Sequence, residues 1–288
     1  MEGAVPLVSI VLRARNEAIA LPEVLGALAS QSLSDAEWIL VDHASTDATA
    51  TLARAAGARV VALPETSFSY GRALNLGLAA CRAPIAVALS AHATPASWRW
   101  LETLISPLHD AGVAAVCGPE WPRRDADAVI RRGLRRRYAG LTRHDLSPSG
   151  SLTFGCANAA LRLDVWRRFP FDETLPYAED LEWSLRVMGA GYRVLFDPAA
   201  PVVHSHRDSP QQAYRRAFAE GVAARRLGRP QRHHRAAGLW TTLAAGSALD
   251  AFTLAGARAL PVEWARALRC RWARALGGWR GYRAGSAA

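Results

Sequence analysis

Short apolar, β-branched runs alternate with stretches of helical spacing along the first 117 residues of the chain. Residues 7–12 (LVSIVL) predict a strand, 13–17 a polar turn and 21–28 a helix. The unit recurs. Residues 38–41 (WILV) predict a second strand running into the polar turn 42–47, where Ser45 or Thr46 can cap a helix that continues to about residue 56. Residues 59–63 read as a third strand, 71–80 as a helix and 85–89 (IAVAL) as a buried strand. A helix opened by Pro95 is expected over 95–109, and a further strand over 113–117. Such alternation implies an α/β fold with a mostly parallel sheet flanked by helices. In such sheets ligands collect at the carboxyl ends of strands, where the polar clusters 13–17, 42–47 and 90–95 fall.

The regularity breaks after Gly118. Residues 120–151 carry Arg131, Arg132, Arg135, Arg136 and Arg137, and fit either a mobile loop with a short helix or a solvated basic helix face. Regular structure resumes at 155–161, with a helix over 178–188, strands at 192–196 and 202–204, and a helix over 210–227. Beyond Gly228 the composition shifts to Ala, Leu, Trp and Arg at helical spacing. The expected organisation is one domain over residues 1–230 and a C-terminal helical extension over 231–288.

With 288 residues, half of them hydrophobic, the chain can bury a sizeable core, and disorder is excluded as the default. The 35 basic and 25 acidic side chains give a formal +10, and because the chain has no lysine every one of those cations is arginine. P-loop, Schiff-base and lysine-general-base enzymes are thereby excluded. Arginine's planar fork suits an anionic ligand or a membrane surface, although the arginine bias of a GC-rich genome leaves the same excess. Cys81, Cys117, Cys156 and Cys270 lie far apart with no C-x-x-C pair, giving neither a zinc knuckle nor a disulfide framework, and point to a reducing cytosol. The N-terminus lacks the basic region, apolar core and cleavage site of a secretory signal. The most apolar long window, 239–260, contains Asp250 and Arg258 between arginine-rich flanks and makes a poor membrane span. No G-x-G-x-x-G follows the first strand, which speaks against a dinucleotide enzyme, and no nucleic-acid-reading module is present.

Three features far apart in sequence converge on one crevice in such a fold: Asp42 after the second strand, Ser90 to His92 after the fourth, and Glu179 with Asp180 opening a later helix. Together with VSIVLRARNEAIALPEVLGALASQS, EWILVDHASTDAT, GRALNLGLAAC, LSAHATP and YAEDLEWSLRVMGAGY, in order over residues 5–210, they resemble family 2 glycosyltransferases of the GT-A fold. That fold is a Rossmann-like nucleotide-diphospho-sugar transferase fold. The resemblance implies an inverting enzyme that moves a hexosyl or deoxyhexosyl group from a nucleoside diphosphate sugar to an acceptor hydroxyl, in cell-envelope polysaccharide or glycolipid synthesis.

Carried over position by position, the resemblance assigns Arg15, Asn16, Glu17 and Asp42 to the base and ribose, and Arg72 and Asn75 to the nucleotide and diphosphate. A carboxylate at Asp42 can accept an imide N–H of uracil or thymine; alternatively Asp42 and Asp47 cap the next helix. The family's second acid at that turn is His43 here. The family's Asp-x-Asp metal motif is replaced by Ser90-Ala91-His92, so both carboxylates are gone. A departing diphosphate still needs a cation, and His92, with His204 and His206 sharing one face of a strand-like segment, offers imidazoles to a metal or to phosphate. A divalent metal, Mn²⁺ or Mg²⁺, thus stays open as a cofactor, imidazole favouring manganese. Asp180 matches the family's base and is expected to be ionised with a normal pKa near 4. Glu179, Trp183, Arg186 and the segment Gly155 to Asn158 belong on the acceptor side, though Trp183 is equally suited to the core.

The extension, with Trp240, Trp264, Trp272 and Trp279 among arginines, fits peripheral contact with an anionic membrane on the inner face of the plasma membrane and a lipid-linked acceptor, or else a helical packing element. Two other functions remain open: an inactive nucleotide-sugar-binding homologue, and a metal-dependent hydrolase built on His92, His204 and His206.

Overall fold

Residues whose side chains alternate between two apolar faces build the sheet. In the computed structural model, which describes residues 5–150, 152–206, 208–229, 236–256 and 261–285, the first half of the chain forms β1 (Val8–Ala14), α1 (Leu21–Ala29), β2 (Ala36–His43), α2 (Thr49–Ala55), β3 (Arg59–Leu63), α3 (Tyr70–Ala79) and β4 (Ile85–Ser90). There follow β5 (Thr94–Pro95), α4 (Trp100–Ile105), β6 (Val113–Cys117), β7 (Glu120–Trp121), α5 (Ala128–Tyr138), β8 (His144–Asp145), β9 (Asn158–Arg162) and α6 (Leu163–Arg168). The chain continues through α7 (Glu179–Gly189), β10 (Arg193–Phe196), β11 (Val202–Val203), α8 (Pro210–Arg226), α9 (Ala236–Gly256) and α10 (Pro261–Ala284). Ser151, residues 231–235 at the start of the expected extension, and Arg258 lie outside the described residues, as do 1–4 of the N-terminus.

Two compact units result. The first comprises residues 1–121, 138–174 and 179–204. Its eight-stranded sheet runs β3-β2-β1-β4-β9-β6-β10-β8, parallel except for β9, antiparallel to β4 and β6, and β8, antiparallel to β10. Ile10, Leu12 and Leu40 point into one apolar layer with α1 and α4, whereas Val11, Ile39 and Val41 point into the other with α3 and α7. This period-two division explains why the central strands read as continuous apolar runs: both faces are covered. The α/β expectation holds, with C-terminal helices following.

Three local expectations change. The helix expected from Pro95 begins only at Trp100, because Thr94 and Pro95 pair antiparallel with Val203 and Val202 in a small second sheet, β5-β11-β7. Pro lacks the N–H of an inner strand but is tolerated on this edge. Neither Ser45 nor Thr46 caps α2, whose N-cap Ala48 has no side-chain cap bond. Both side chains reach the β1–α1 loop instead. Residues 155–161 yield β9, whose antiparallel direction no periodicity announces.

The second unit comprises residues 122–137, 175–178 and 205–288. It includes α8, which the expected boundary at residue 230 assigned to the first domain. α8 opens with a reciprocal capping box between Ser209 and Gln212 and packs along α10. The two backbones approach so closely that a Cβ on Gly277 or Gly281 would run into the carbonyl of Tyr214 or Phe218.

Candidate active site

The loops after β1 and β2 are laced together at the carboxyl edge of the sheet. Asn16 has φ +55° and its Oδ1 accepts the Thr46 N–H at 2.8 Å, while its own N–H donates to Ser45 Oγ at 2.9 Å. The Glu17 N–H donates to Thr49 Oγ1 at 2.8 Å and the Ala18 N–H to Asp47 at 3.0 Å. Asp47 and Thr49 therefore hold one loop against the other. Asn positions with φ > 0 are tolerated because the short amide can bond locally, which is what Asn16 does.

Asp42, at the end of β2, has a buried Oδ1 with no hydrogen-bond partner among the described residues. A buried carboxylate oxygen left unpaired costs free energy, so this atom is suited to a donor supplied from outside. Beside it His43 stacks on Phe68, centroids 4.2 Å apart, and Phe68 meets Tyr70 edge-on. Burial, reinforced by the Arg15 charge, lowers the His43 pKa and keeps the ring neutral at physiological pH. Arg15 pairs with Glu65 at 2.5 Å, and Arg72 is exposed on the first turn of α3. Asn75 is committed elsewhere. Its Oδ1 accepts from Trp166 Nε1 and the Phe171 N–H, and its Nδ2 donates to the Phe171 carbonyl and Glu173, all at 2.9–3.0 Å. With both lone pairs and both N–H groups used, it fixes the chain around Phe171 instead of facing a nucleotide.

The position of the missing acidic motif is occupied by a chain of four side chains. His92 Nδ1 lies 2.8 Å from Glu17 Oε1, His204 Nδ1 lies 2.5 Å from Glu120 Oε2, and the two Nε2 atoms face each other at 3.0 Å. The rings are stacked with centroids 4.8 Å apart. Each carboxylate accepts from its imidazole's Nδ1–H, which directs both Nε2 lone pairs into the gap. Two lone pairs at that distance repel unless a cation or a proton lies between them. Carboxylates orienting imidazoles in this way are the usual outer support of a metal-binding histidine. Ser90 Oγ is 3.3 Å from His92 Nδ1. His206, two residues beyond His204, belongs to the second unit and is partly buried.

At the N-terminus of α7, preceded by Ala178 with φ +63°, Glu179 is buried and Asp180 partly buried. Asp180 Oδ2 accepts the Cys156 N–H at 3.2 Å and Oδ1 accepts the Leu181 N–H at 2.8 Å. Arg13 connects this pair to β1: its Nη1 is 3.7 Å from Glu179 Oε1 and its Nη2 donates to the Cys156 carbonyl at 3.2 Å. The Ser90 N–H in turn bonds the Ala157 carbonyl at 3.1 Å, and Arg13 is paired with Ser90 across β1 and β4. The carboxyl pair and the Ser90 to His92 turn are thus joined through adjacent backbone.

The expectation of an ordinary Asp180 pKa is corrected. Burial raises it, and burial together with the neighbouring Asp180 charge pushes Glu179 up to about 8. Two buried carboxyls side by side do not both ionise at neutral pH. Because Asp180 accepts two backbone N–H bonds, it carries the charge while Glu179 keeps its proton. Burial raises the Cys156 thiol well above its usual range, leaving it inert.

Other acceptor-side expectations meet a different arrangement. Trp183 is fully buried in the core, its Nε1 donating to the Phe169 carbonyl at 2.6 Å. Asn158 is buried, accepting from Trp100 Nε1 and donating to the Ala200 carbonyl. Arg186 is bidentate to Glu182, one turn back, and donates to the Pro170 carbonyl. Glu120 and Phe68 join the site with no signal in the sequence, and Arg13, from the polar cluster 13–17, joins it with a role of its own. Arg13 falls in the expected polar turn 13–17 whereas β1 runs on through it to Ala14, and Glu120 belongs to a two-residue strand.

The glycosyl transferase family 2 profile matches residues 9–169. The O-antigen chain rhamnosyltransferase WbaN of Salmonella anatum is 29% identical over 204 residues, 68% of this chain and 65% of that protein, so the chain spans about two thirds of that relative's length. RfbN of Salmonella typhimurium, another O-antigen chain rhamnosyltransferase, is 27% identical over 224 residues, 75% of this chain and 71% of its own. Among solved structures, the mannosyltransferase PcManGT from Pyrobaculum calidifontis, in complex with GDP-Man and Mn²⁺, superposes with a TM-score of 0.63 at 22% identity, covering 96% of this chain and 87% of that one. This last likeness shows the GT-A fold. With more than half its length matched, the chain belongs to glycosyl transferase family 2.

Proposed function

We propose that the chain transfers a hexose or deoxyhexose from a nucleoside diphosphate sugar to an acceptor hydroxyl with inversion, in assembly of a cell-envelope polysaccharide or glycolipid. The observation that carries this reading is Asp180, a carboxyl fixed by two backbone N–H groups beside the buried Glu179, whose pKa is pushed up to about 8. Such a carboxylate can take the proton of an attacking hydroxyl as the C–O bond to the anomeric carbon forms and the bond to the diphosphate breaks. No covalent intermediate is required in a single displacement. The raised pKa makes Asp180 a stronger base than an exposed aspartate while Glu179 spares it a neighbouring negative charge. The unpaired oxygen of Asp42 supports binding of a base that offers an imide N–H, with Phe68 and Tyr70 as apolar surface nearby.

The opposed imidazoles fit a divalent cation. His92 and His204 would hold it through Nε2, oriented by Glu17 and Glu120. When bound, it supplies charge neutralisation for the departing diphosphate. A nitrogen pair favours manganese over magnesium. The names of the two Salmonella relatives favour a deoxyhexosyl donor, and a sugar hydroxyl on a growing or lipid-linked glycan is the acceptor this chemistry serves.

The test is incubation with a panel of dTDP-, UDP- and GDP-sugars and mixed glycan acceptors, with the anomeric configuration of the product read by NMR. Transfer of a hexose or deoxyhexose with inversion is expected. Product that retains the donor configuration, or donor binding without transfer to any acceptor, would overturn the reading.

A further inference from the structure

Charge is divided sharply between the two units. Residues of the second carry 22 arginines against six acids, a formal +16, while the first has 13 arginines against 19 acids, a formal −6. Within the second unit, α9 is apolar on two faces. Leu239, Leu243 and Leu254 are buried, yet Trp240, Ala244, Ala245, Ala248, Leu249 and Phe252 form an exposed stripe down the opposite side. Their spacing of four residues, repeated from Trp240 to Phe252 in the 21-residue helix, keeps them on one face over a length of about 18 Å. Phe252 is 80% exposed and Trp240 63%. The only charge in α9, Asp250, is turned inward, 1% exposed, and neutralised by Arg271 and Arg132. The outward face is therefore uncharged. A helix that is apolar all round is ordinarily buried in a core or a membrane. Among the described residues no helix is long and apolar enough to cross a bilayer.

We infer that α9 lies flat in the surface of an anionic membrane, with Trp240, Leu249 and Phe252 among the acyl chains and arginines of α5 and α10 on lipid phosphates. Trp272 of α10 extends the aromatic end of the stripe, packing edge-on to Trp240 with centroids 6.3 Å apart, and the exposed Arg269 lies one turn before it. Arg135 and Arg136 of α5 are also exposed. Tryptophan suits the boundary between acyl chains and headgroups, and arginine stems reach along it with the charge in the polar layer. The net charge selects the occupant. A second copy would bring +16 against +16, whereas anionic lipid attracts each basic group near its surface. This surface is independent of glycosyl transfer and goes beyond it.

The full chain is sedimented with vesicles of phosphatidylcholine alone and of phosphatidylcholine mixed with phosphatidylglycerol, at low and high salt. The wild type is expected to bind the anionic vesicles, several-fold less at high salt, and to bind neutral ones weakly. Leu249→Ser/Phe252→Ser is expected to lose roughly 100-fold in partitioning, and Arg135→Gln/Arg136→Gln/Arg269→Gln on the order of tenfold or more, at unchanged melting temperature. Equal partitioning of wild type and both variants, or no binding by the wild type, would overturn the inference. A wild-type dimer on size exclusion that Leu249→Ser/Phe252→Ser converts to monomer would overturn it in favour of a second copy. Nucleoside diphosphate binding by the same variants separates failure here from failure of the active-site reading.

Discussion

Glu179→Gln tests the electrostatic arrangement that leaves Asp180 ionised. Glu179 is 4% exposed and its pKa is raised from 4.5 to about 8, so over that interval the folded protein keeps a proton that the unfolded chain releases. Its folded pKa lies above the unfolded one, and for an acid the sign follows directly: stability falls as pH rises from 4.5 toward 8 and levels off above it. The slope approaches about 1.4 kcal/mol per pH unit, which integrates to about 2 kcal/mol between pH 6 and pH 8 once partial ionisation near pH 8 is allowed for. Gln keeps the size and neutrality of the protonated acid and cannot ionise, so the variant should lack this decline. Urea unfolding of both proteins at half-unit pH steps gives the difference directly, because the remaining titrations largely cancel. The wild type should lose about 2 kcal/mol relative to Glu179→Gln from pH 6 to pH 8. Parallel curves would mean that Glu179 ionises normally and that the assignment of charge within the pair is wrong.

Arg13→Gln removes the cation 3.7 Å from Glu179, and should move the acid limb of the turnover profile upward by about one to two pH units, with activity recovering at high pH. An unshifted profile would detach Arg13 from the pair. Asp42→Ala should weaken nucleoside diphosphate binding by roughly tenfold, the worth of a hydrogen bond to a charged group, and calorimetry with unchanged affinity would remove it from the donor site. Gly281→Ala must push apart α8 and α10 at the Phe218 carbonyl and should cost on the order of 2 kcal/mol, read as a lowered melting temperature; an unchanged melt would contradict that close approach.

The strands were legible because their burial on both faces leaves unbroken apolar runs, as at LVSIVL and IAVAL. What pattern alone could not reveal is pairing between distant segments. Thr94–Pro95 looks like a helix start until Val202–Val203 pairs with it, and β9 looks like any other strand until β4 and β6 flank it antiparallel. The same limit governs the site. Asp42, His92, His204, Glu179 and Asp180 were visible as polar residues following or preceding regular elements, but their partners are remote: Glu17 lies 75 residues from His92, and Glu120 lies 84 from His204. Asn75 and Asn158 illustrate the reverse limit, and Trp183 takes the core place that its sequence equally allowed. Polar or aromatic side chains beside a site can serve the interior, and only their completed hydrogen bonds reveal it.

Whether Asp180 is the base is decided by turnover of Asp180→Asn at saturating donor and acceptor, with donor affinity measured on the same preparation. Asparagine preserves shape and can still accept the Cys156 N–H, yet cannot take a proton. A loss of about 100- to 10,000-fold in kcat is expected, with donor binding within about twofold of wild type. Undiminished turnover would contradict it.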